Sequence, residues 1–237
     1  MTDTTVVLIT GANKGIGLAA ARRLAELGWM VLLGSRDLGR GAAAVTELGG
    51  LAVRAVELDV TSEISVSHAA KLVDTEYGRL DVLINNAGIA GSRMPVLEVG
   101  ADEMREAYET NVFGPVRMMR AFLPLLRRSV APRVVMVSSG MGSITVTSDP
   151  ERVESRFIGL AYPSSKTALN MITSQYAKAL PEFRINAADP GYTATDLNGH
   201  TGYQTVLEGS DTIVTLAQVA PDGPTGGFFD RHGPVPW

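Results

Sequence analysis

Two residues that could exchange a proton stand one helical turn apart in "AYPSSK", where Tyr162 is followed four positions later by Lys166. A free phenol has a pKa of about 10, so at neutral pH it is an available acid and a poor base. A cation about 6 Å away lowers that value by roughly two units at an effective dielectric of ~20. The pair therefore suits proton transfer at the phenol. Chance also places Tyr and Lys at this spacing on many surface helices. Here, however, the lysine falls in a first turn, where the helix dipole favours anions. Pro163 suits the first helical position and leaves Tyr162 near the cap. A lysine held against the dipole makes sense if it serves the phenol.

A second candidate is "TGANKGIG" at 10–17, where Gly11, Gly15 and Gly17 join an apolar run to the small-residue stretch "LAAA". Glycines there permit a tight turn and let a phosphate approach the N–H groups of a helix N-terminus. A glycine triplet can also mark a plain strand–helix turn. Its place after the first strand and before a small-residue helix points to a dinucleotide. The end of the second apolar run, "GSRD", addresses which one. An acid at that point would accept hydrogen bonds from the adenosine ribose and repel a 2′-phosphate. Ser35 occupies that position, Arg36 follows, and Lys14 adds a cation in the glycine loop. Two cations and a hydroxyl suit a phosphate, which favours NADP (NADPH) over NAD. Asp37 dissents, but along a continuing strand its side chain points away from Arg36.

The elements that must position these groups are legible as alternating patterns. Apolar runs at 5–10, 30–35, 52–58, 81–86, 133–139, 184–189 and 226–229 are rich in Val, Ile and Leu with little polar alternation. Such runs suit strands buried on both faces. Between them, 16–28, 64–78, 101–128 and 163–180 read as amphipathic helices. The alternation predicts a single α/β domain over 1–237, with a doubly wound, mostly parallel, seven-stranded sheet of Rossmann type. Residues 139–161 and 191–211 are the least regular stretches, and loops of that length tend to be functional.

Composition narrows the function. A net charge of −4 gives no reason to expect nucleic acid. The absence of cysteine excludes disulfides, thiolate metal sites and cysteine nucleophiles. His68, His200 and His232 lack ligand spacing, so no metal is expected. No basic-flanked apolar leader and no membrane-length run are present, so a soluble, cytoplasmic protein without membrane partners is the expectation.

Several ordered motifs together resemble the short-chain dehydrogenase/reductase superfamily. They are "TGANKGIG", "LDV" (58–60), "NNAG" (85–88), "TNVFG" (110–114), "VVMVSS" (134–139), Tyr162-x-x-x-Lys166 and "DPGYTAT" (189–195), and they span almost the whole chain. The "TGANKGIGLA" and "SRD" forms look most like the NADPH-dependent carbonyl reductases of that superfamily. The resemblance implies an oxidoreductase acting on a small carbonyl or alcohol substrate, with Asn111, Ser139, Tyr162 and Lys166 as catalytic residues. Tyr162 would give its proton to the substrate oxygen, Ser139 would hydrogen-bond that oxygen, and Lys166 would hold the nicotinamide ribose and tune the phenol. Asn111 would help hold a water-linked proton path to Lys166. Cofactor contacts would come from Gly11, Asn13, Lys14, Gly15, Ile16 and Gly17, and from Ser35 and Arg36. Asp59 and Val60 would meet adenine, and Asn86, Ala87 and Gly88 the ribose. Pro190, Gly191, Thr193 and Thr195 would hold the carboxamide.

On local grounds Asn111 is a poor helix residue, and Gly114 and Pro115 just after it suggest a distorted turn. Ser139 could equally cap a strand end. Substrate walls are expected from Ile89 to Pro95, from the segment after Ser139 (Met141 included), and from a mobile lid at 191–211 that carries His200. Residues 140–161 exceed the stretch of about a dozen that many family members have there. This extension leaves monomer and homo-oligomer both open. "GPVPW" at the end of the sequence reads as packing or subunit contact. Two other functions stay open: a non-catalytic NADPH-sensing regulator, and an alcohol dehydrogenase working mainly in the oxidative direction.

Overall fold

The computed structural model of the chain describes residues 4–237. The seven apolar runs become β1 (Val6–Ile9), β2 (Met30–Ser35), β3 (Val53–Glu57), β4 (Val82–Asn85), β5 (Arg133–Val137), β6 (Arg184–Ala188) and β7 (Phe228–Asp230). A two-residue strand, β8 (Gly233–Pro234), pairs antiparallel with β7, so the sheet has eight strands where seven were expected. The Asp230 carboxylate makes that hairpin by accepting the N–H groups of His232 and Gly233, at 2.7 and 3.0 Å. Two residues are too few to show a period.

The strand order is β3-β2-β1-β4-β5-β6-β7-β8, parallel throughout except at β8. The chain winds outward from β1 to β3, then crosses back to place β4 on the other side of β1. That reversal opens a crevice at the carboxyl ends of the strands, where ligands of such sheets bind. Both faces of the sheet are covered. Val6 and Leu8 of β1 join one core cluster with Phe122 and Phe183, while Val7 and Ile9 join the other with Leu24 and Ile213. Each such side chain contributes about 1.5–3 kcal/mol by leaving water, which is why the strands carry no polar alternation.

The helices are α1 (Gly15–Glu26), α2 (Leu38–Glu47), α3 (Glu63–Tyr77), α4 (Ala101–Tyr108), α5 (Gly114–Leu126), α6 (Ile144–Ser148), α7 (Ala161–Ala179), α8 (Val206–Gly209) and α9 (Asp211–Ala217). The predicted helix 101–128 is α4 and α5 joined by a π-helical turn, Glu109–Phe113, in which Gly114 N–H reaches back to Glu109 O. That is the distortion that Gly114 and Pro115 suggested. Sequence reading missed α2, where two glycines and three alanines blur the apolar face. It also missed α9, whose Thr, Ile and Val residues favour strands. The C-terminal residues pack on the fold: the Phe228 and Trp237 rings stack at 5.5 Å, and Ser143 Oγ donates to Pro236 O at 2.7 Å. Among the described residues no helix is long and apolar enough to cross a membrane, and no group of three or more His, Asp or Glu could hold a metal.

Candidate active site

A cleft of about 1420 Å³ runs across the carboxyl ends of the central strands, with room for more than a drug-sized ligand. Its floor at one end is the glycine loop. Gly15 has φ +59°, a conformation that favours glycine, and a Cβ on Gly17 would lie 2.5 Å from Asn86 Nδ2. Asn86 Nδ2 in turn donates to Thr10 O and Gly11 O, at 2.8 and 3.1 Å. Thr10 Oγ1 accepts the N–H groups of Asn86 and Ala87, both at 2.9 Å. The "NNAG" segment thus braces the loop across the sheet centre. Helix α1 begins after Lys14 with no side-chain cap and no acid in its first turn, so its first N–H groups are open to an anion.

Most of the expected cofactor residues line this cleft: Gly11, Asn13, Lys14, Gly15, Ile16, Gly17, Arg36, Asp59, Val60, Asn86, Ala87, Gly88, Gly191, Thr193 and Thr195. Ser35 does not. It is buried, and its hydroxyl donates to Asp37 O at 2.7 Å, closing the turn into α2. Pro190 also stays off the wall, and its carbonyl accepts the Thr193 hydroxyl at 3.0 Å. Asp37 caps α2, accepting Arg40 N–H at 2.9 Å, and so leaves Arg36 as the charge facing the cleft. Arg36 has no hydrogen bond or ion pair among the described residues. Lys14 is not free in the same way: it forms an ion pair with Asp196 of the 191–211 segment. Asp196 also binds His200 Nε2 at 2.8 Å, and Arg93 Nη2 donates to Leu197 O at 2.9 Å from the opposite wall.

At the other end stand Ser139, Tyr162 and Lys166. Tyr162 opens α7 and Lys166 lies one turn on, its Nζ 5.6 Å from the phenol ring centroid. Lys166 is buried and its Nζ donates to Val137 O at 2.8 Å. Burial draws the lysine down to about 8, with the Asp189 carboxylate opposing. Burial pushes the phenol up to about 12, with Ser139 drawing it down by a hydrogen bond and Asp189 pushing it up. The expected lowering of the phenol by about two units is therefore not met in the protein alone. A dense surround costs the phenolate its hydration, and one ammonium at this distance does not offset that. Ser139 also plays the local role foreseen for it, accepting Met141 N–H at 3.2 Å.

Asn111 lies in the π-helical turn, fully buried and off the cleft wall. Its side chain clamps the loop after β4, accepting Ile89 N–H and donating to Ile89 O, both at 2.9 Å. It also donates to Ser165 Oγ at 3.0 Å. A Cβ at Gly88 would lie 3.4 Å from Asn111 Oδ1 and 3.5 Å from Lys166 Nζ, so the asparagine stays close to the lysine.

Of the segments expected to wall the substrate, Ile89 to Met94, Gly140 and Met141, and Tyr192 to Asn198 with His200 and Thr201 lie on the cleft; Pro95 and Gly199 do not. The extension after Ser139 adds Val153, Glu154, Phe157 and Ile158. Sequence reading missed Asp189 and Glu154. The signals were present: an acid directly before "PG", and charge within an extension bordering the site. Asp189 is buried and accepts Gly191 N–H at 2.9 Å. Burial pushes its carboxyl up to about 6 against the backbone hydrogen bonds of Gly191 and Gly140, with Glu154 and Asp230 adding to the push.

Comparison with known proteins bears on this arrangement. Residues 5–205 match the family model described as short chain dehydrogenase. The chain is 36% identical to (+)-neomenthol dehydrogenase of Arabidopsis thaliana, over 94% of this chain and 95% of that one. It is 35% identical to (-)-isopiperitenone reductase of Mentha piperita, with the same coverage. The crystal structure of NADPH-bound carbonyl reductase from chicken fatty liver superposes with a TM-score of 0.86 at 27% identity, covering 100% of both chains. With its glycine loop, its Ser139–Tyr162–Lys166 constellation and a family match over most of its length, the chain belongs to the short-chain dehydrogenase family of oxidoreductases.

Proposed function

We propose that the protein reduces the carbonyl group of an aldehyde or ketone with NADPH, Tyr162 serving as proton donor. The observation that carries this reading is the convergence of Ser139, Tyr162 and Lys166 on one cleft with Arg36, unpaired among the described residues, and an open helix N-terminus at its far end. Relatives that are a reductase and a dehydrogenase support it, as does the NADPH-bound structural neighbour. The residues present fit the cofactor. The uncapped start of α1 with Gly11, Gly15 and Gly17 would hold its pyrophosphate, and Arg36 with Lys14 its 2′-phosphate. Asp59 and Val60 would border adenine, Asn86 to Gly88 a ribose, and Gly191 to Thr195 the carboxamide. When bound, NADPH supplies a hydride equivalent.

The chain's own groups do the rest. Ser139 and Tyr162 direct hydroxyls at the carbonyl oxygen, where negative charge develops. A phenol held near 12 keeps its proton at neutral pH and is in the form that donates. The alkoxide that develops is a stronger base than the phenolate, so transfer runs downhill. Lys166 stabilises the phenolate left behind, and Asn111 secures the loop beside it and a water-linked return of the proton. Segment 191–211 would close over the substrate, and the 140–161 extension would shape its entrance. The test is NADPH oxidation with cyclic ketones by the wild type and Tyr162→Phe. The variant should lose activity by about a thousandfold while still binding NADPH; near-undiminished reduction would show the assignment wrong.

A further inference from the structure

Nothing in α7 itself calls for asparagine at position 170. The residue stands mid-helix, where Asn is a weak helix former, and it is buried. A buried amide must find partners, and those of Asn170 lie on either side of Ser139. Its Nδ2 donates to Gly142 O at 3.2 Å, and its Oδ1 accepts the Ser138 hydroxyl at 2.5 Å. The amide fits only this way round, because a carbonyl oxygen accepts and never donates. That orientation commits the Ser138 proton to Asn170. Ser139 Oγ, by contrast, accepts Met141 N–H at 3.2 Å and keeps its own proton for another acceptor.

The two bonds bracket the turn that aims Ser139. Strand β5 ends at Val137, and Ser138 N–H still reaches Ala188 O at 2.7 Å. Beyond Ser138 the chain leaves the sheet in a tight turn. Gly142 N–H donates to Ser139 O at 2.8 Å, and Ser143 N–H to Gly140 O at 3.0 Å. Asn170 ties the far side of that turn back to the residue before it. Gly142 packs so closely on α7 that a Cβ there would lie 2.8 Å from the Lys166 carbonyl carbon and Cβ. Tyr162, Lys166 and Asn170 recur at one-turn spacing, so they share a face of the helix. Between them they meet three consecutive residues. Lys166 donates to Val137 O, Asn170 holds Ser138, and Tyr162 shares a hydrogen bond with Ser139.

We infer that Asn170 is a positioning residue that sets the Ser139 hydroxyl against Tyr162 by gripping the chain on both sides of the serine. The inference deepens the reductase reading and rests on it for the reacting group. Asn170 lies off the cleft wall, so it acts through Ser139 and not on the substrate. A hydroxyl donor misplaced by about 1 Å can cost roughly a hundredfold in rate. Loss of the grip therefore lowers turnover and leaves cofactor binding alone.

The test compares Asn170→Ala, Ser139→Ala and the double variant in cyclohexanone reduction by NADPH. Asn170→Ala should lower kcat about ten- to a hundredfold, with the NADPH dissociation constant, read by fluorescence, within about twofold of wild type. In the Ser139→Ala background the same substitution should lower kcat by less than about threefold, since no hydroxyl is left to aim. A near wild-type kcat for Asn170→Ala, or an equal loss in both backgrounds, overturns the inference and leaves the reductase reading intact. Should Asn170→Ala fail to fold, Ser138→Ala removes one of the two bonds and decides the same comparison, with an expected loss of about three- to tenfold. Hydrogen exchange reads the grip without turnover. The Gly142 and Ser143 amides should exchange at least about tenfold faster in Asn170→Ala, with those of Val134 to Met136 unchanged. Unchanged protection in the turn overturns the inference. Faster exchange confined to the turn, in a protein whose wild type reduces no ketone, supports the grip on Ser139 and defeats the reductase reading.

Discussion

Replacing Asp189 by Asn should stabilise the protein at neutral pH. Asp189 is 4% exposed, and burial lifts its carboxyl from 3.8 to about 6. A group whose folded pKa lies above its unfolded value favours folding while protonated. That contribution is fully present below pH 3.8 and is lost as pH rises through 6. A tenfold difference in proton affinity between the folded and unfolded chain is worth about 1.4 kcal/mol, so ionised Asp189 costs the folded state up to about 3 kcal/mol at neutral pH. Asn carries no charge and keeps an oxygen for Gly191 N–H, the bond at 2.9 Å. Urea unfolding of both proteins between about pH 4 and 8 measures the difference. The variant's advantage should be near zero at the acid end, grow by up to about 1.4 kcal/mol per pH unit toward about 6, and level off at up to about 3 kcal/mol. An advantage independent of pH, or a variant less stable at neutral pH, would refute the account of Asp189 as an uncompensated buried charge. The same substitution removes the group that holds Lys166 up, so any alkaline loss of activity should move to lower pH.

Other expectations follow from neighbouring groups. Lys166 is drawn from 10.5 to about 8, so it loses its charge as pH rises through 8; kcat/KM for reduction should be level below that point and fall above it, and a profile flat to about pH 10 would count against a charged lysine. Gly17→Ala would drive a Cβ to within 2.5 Å of Asn86 Nδ2 and 3.0 Å of Gly11 O. NADPH affinity by fluorescence titration should drop at least about tenfold, with stability lowered by roughly 1–3 kcal/mol. Asp196→Asn frees Lys14 and removes a carboxylate beside the proposed phosphate site. NADPH should bind several-fold more tightly and NADH unchanged, and equal gains for both would argue against a 2′-phosphate contact.

How far the sequence carried depended on the range of each interaction. Tyr162 and Lys166 were readable because one turn of a single helix sets their spacing, wherever that helix packs. The glycine loop was readable because it joins adjacent elements, and the strands because burial on both faces leaves continuous apolar runs. Ser35 was misplaced because Arg36, next along the chain, faces the cleft while the Ser35 hydroxyl turns back to Asp37. Asn111 was placed in a distorted turn, but its grip on Ile89 could not be read from its own surroundings in the chain.

The chain by itself determined the parallel sheet, the dinucleotide loop and the phenol–ammonium pair, since each is written in spacing along one segment. Packing alone decided that burial raises the phenol, that Lys14 meets Asp196 across the cleft mouth, and that Glu154 and Asp189 share one face of Gly140. Desolvation and contact between distant charges depend on what surrounds a group in space, and no periodicity in the sequence encodes that.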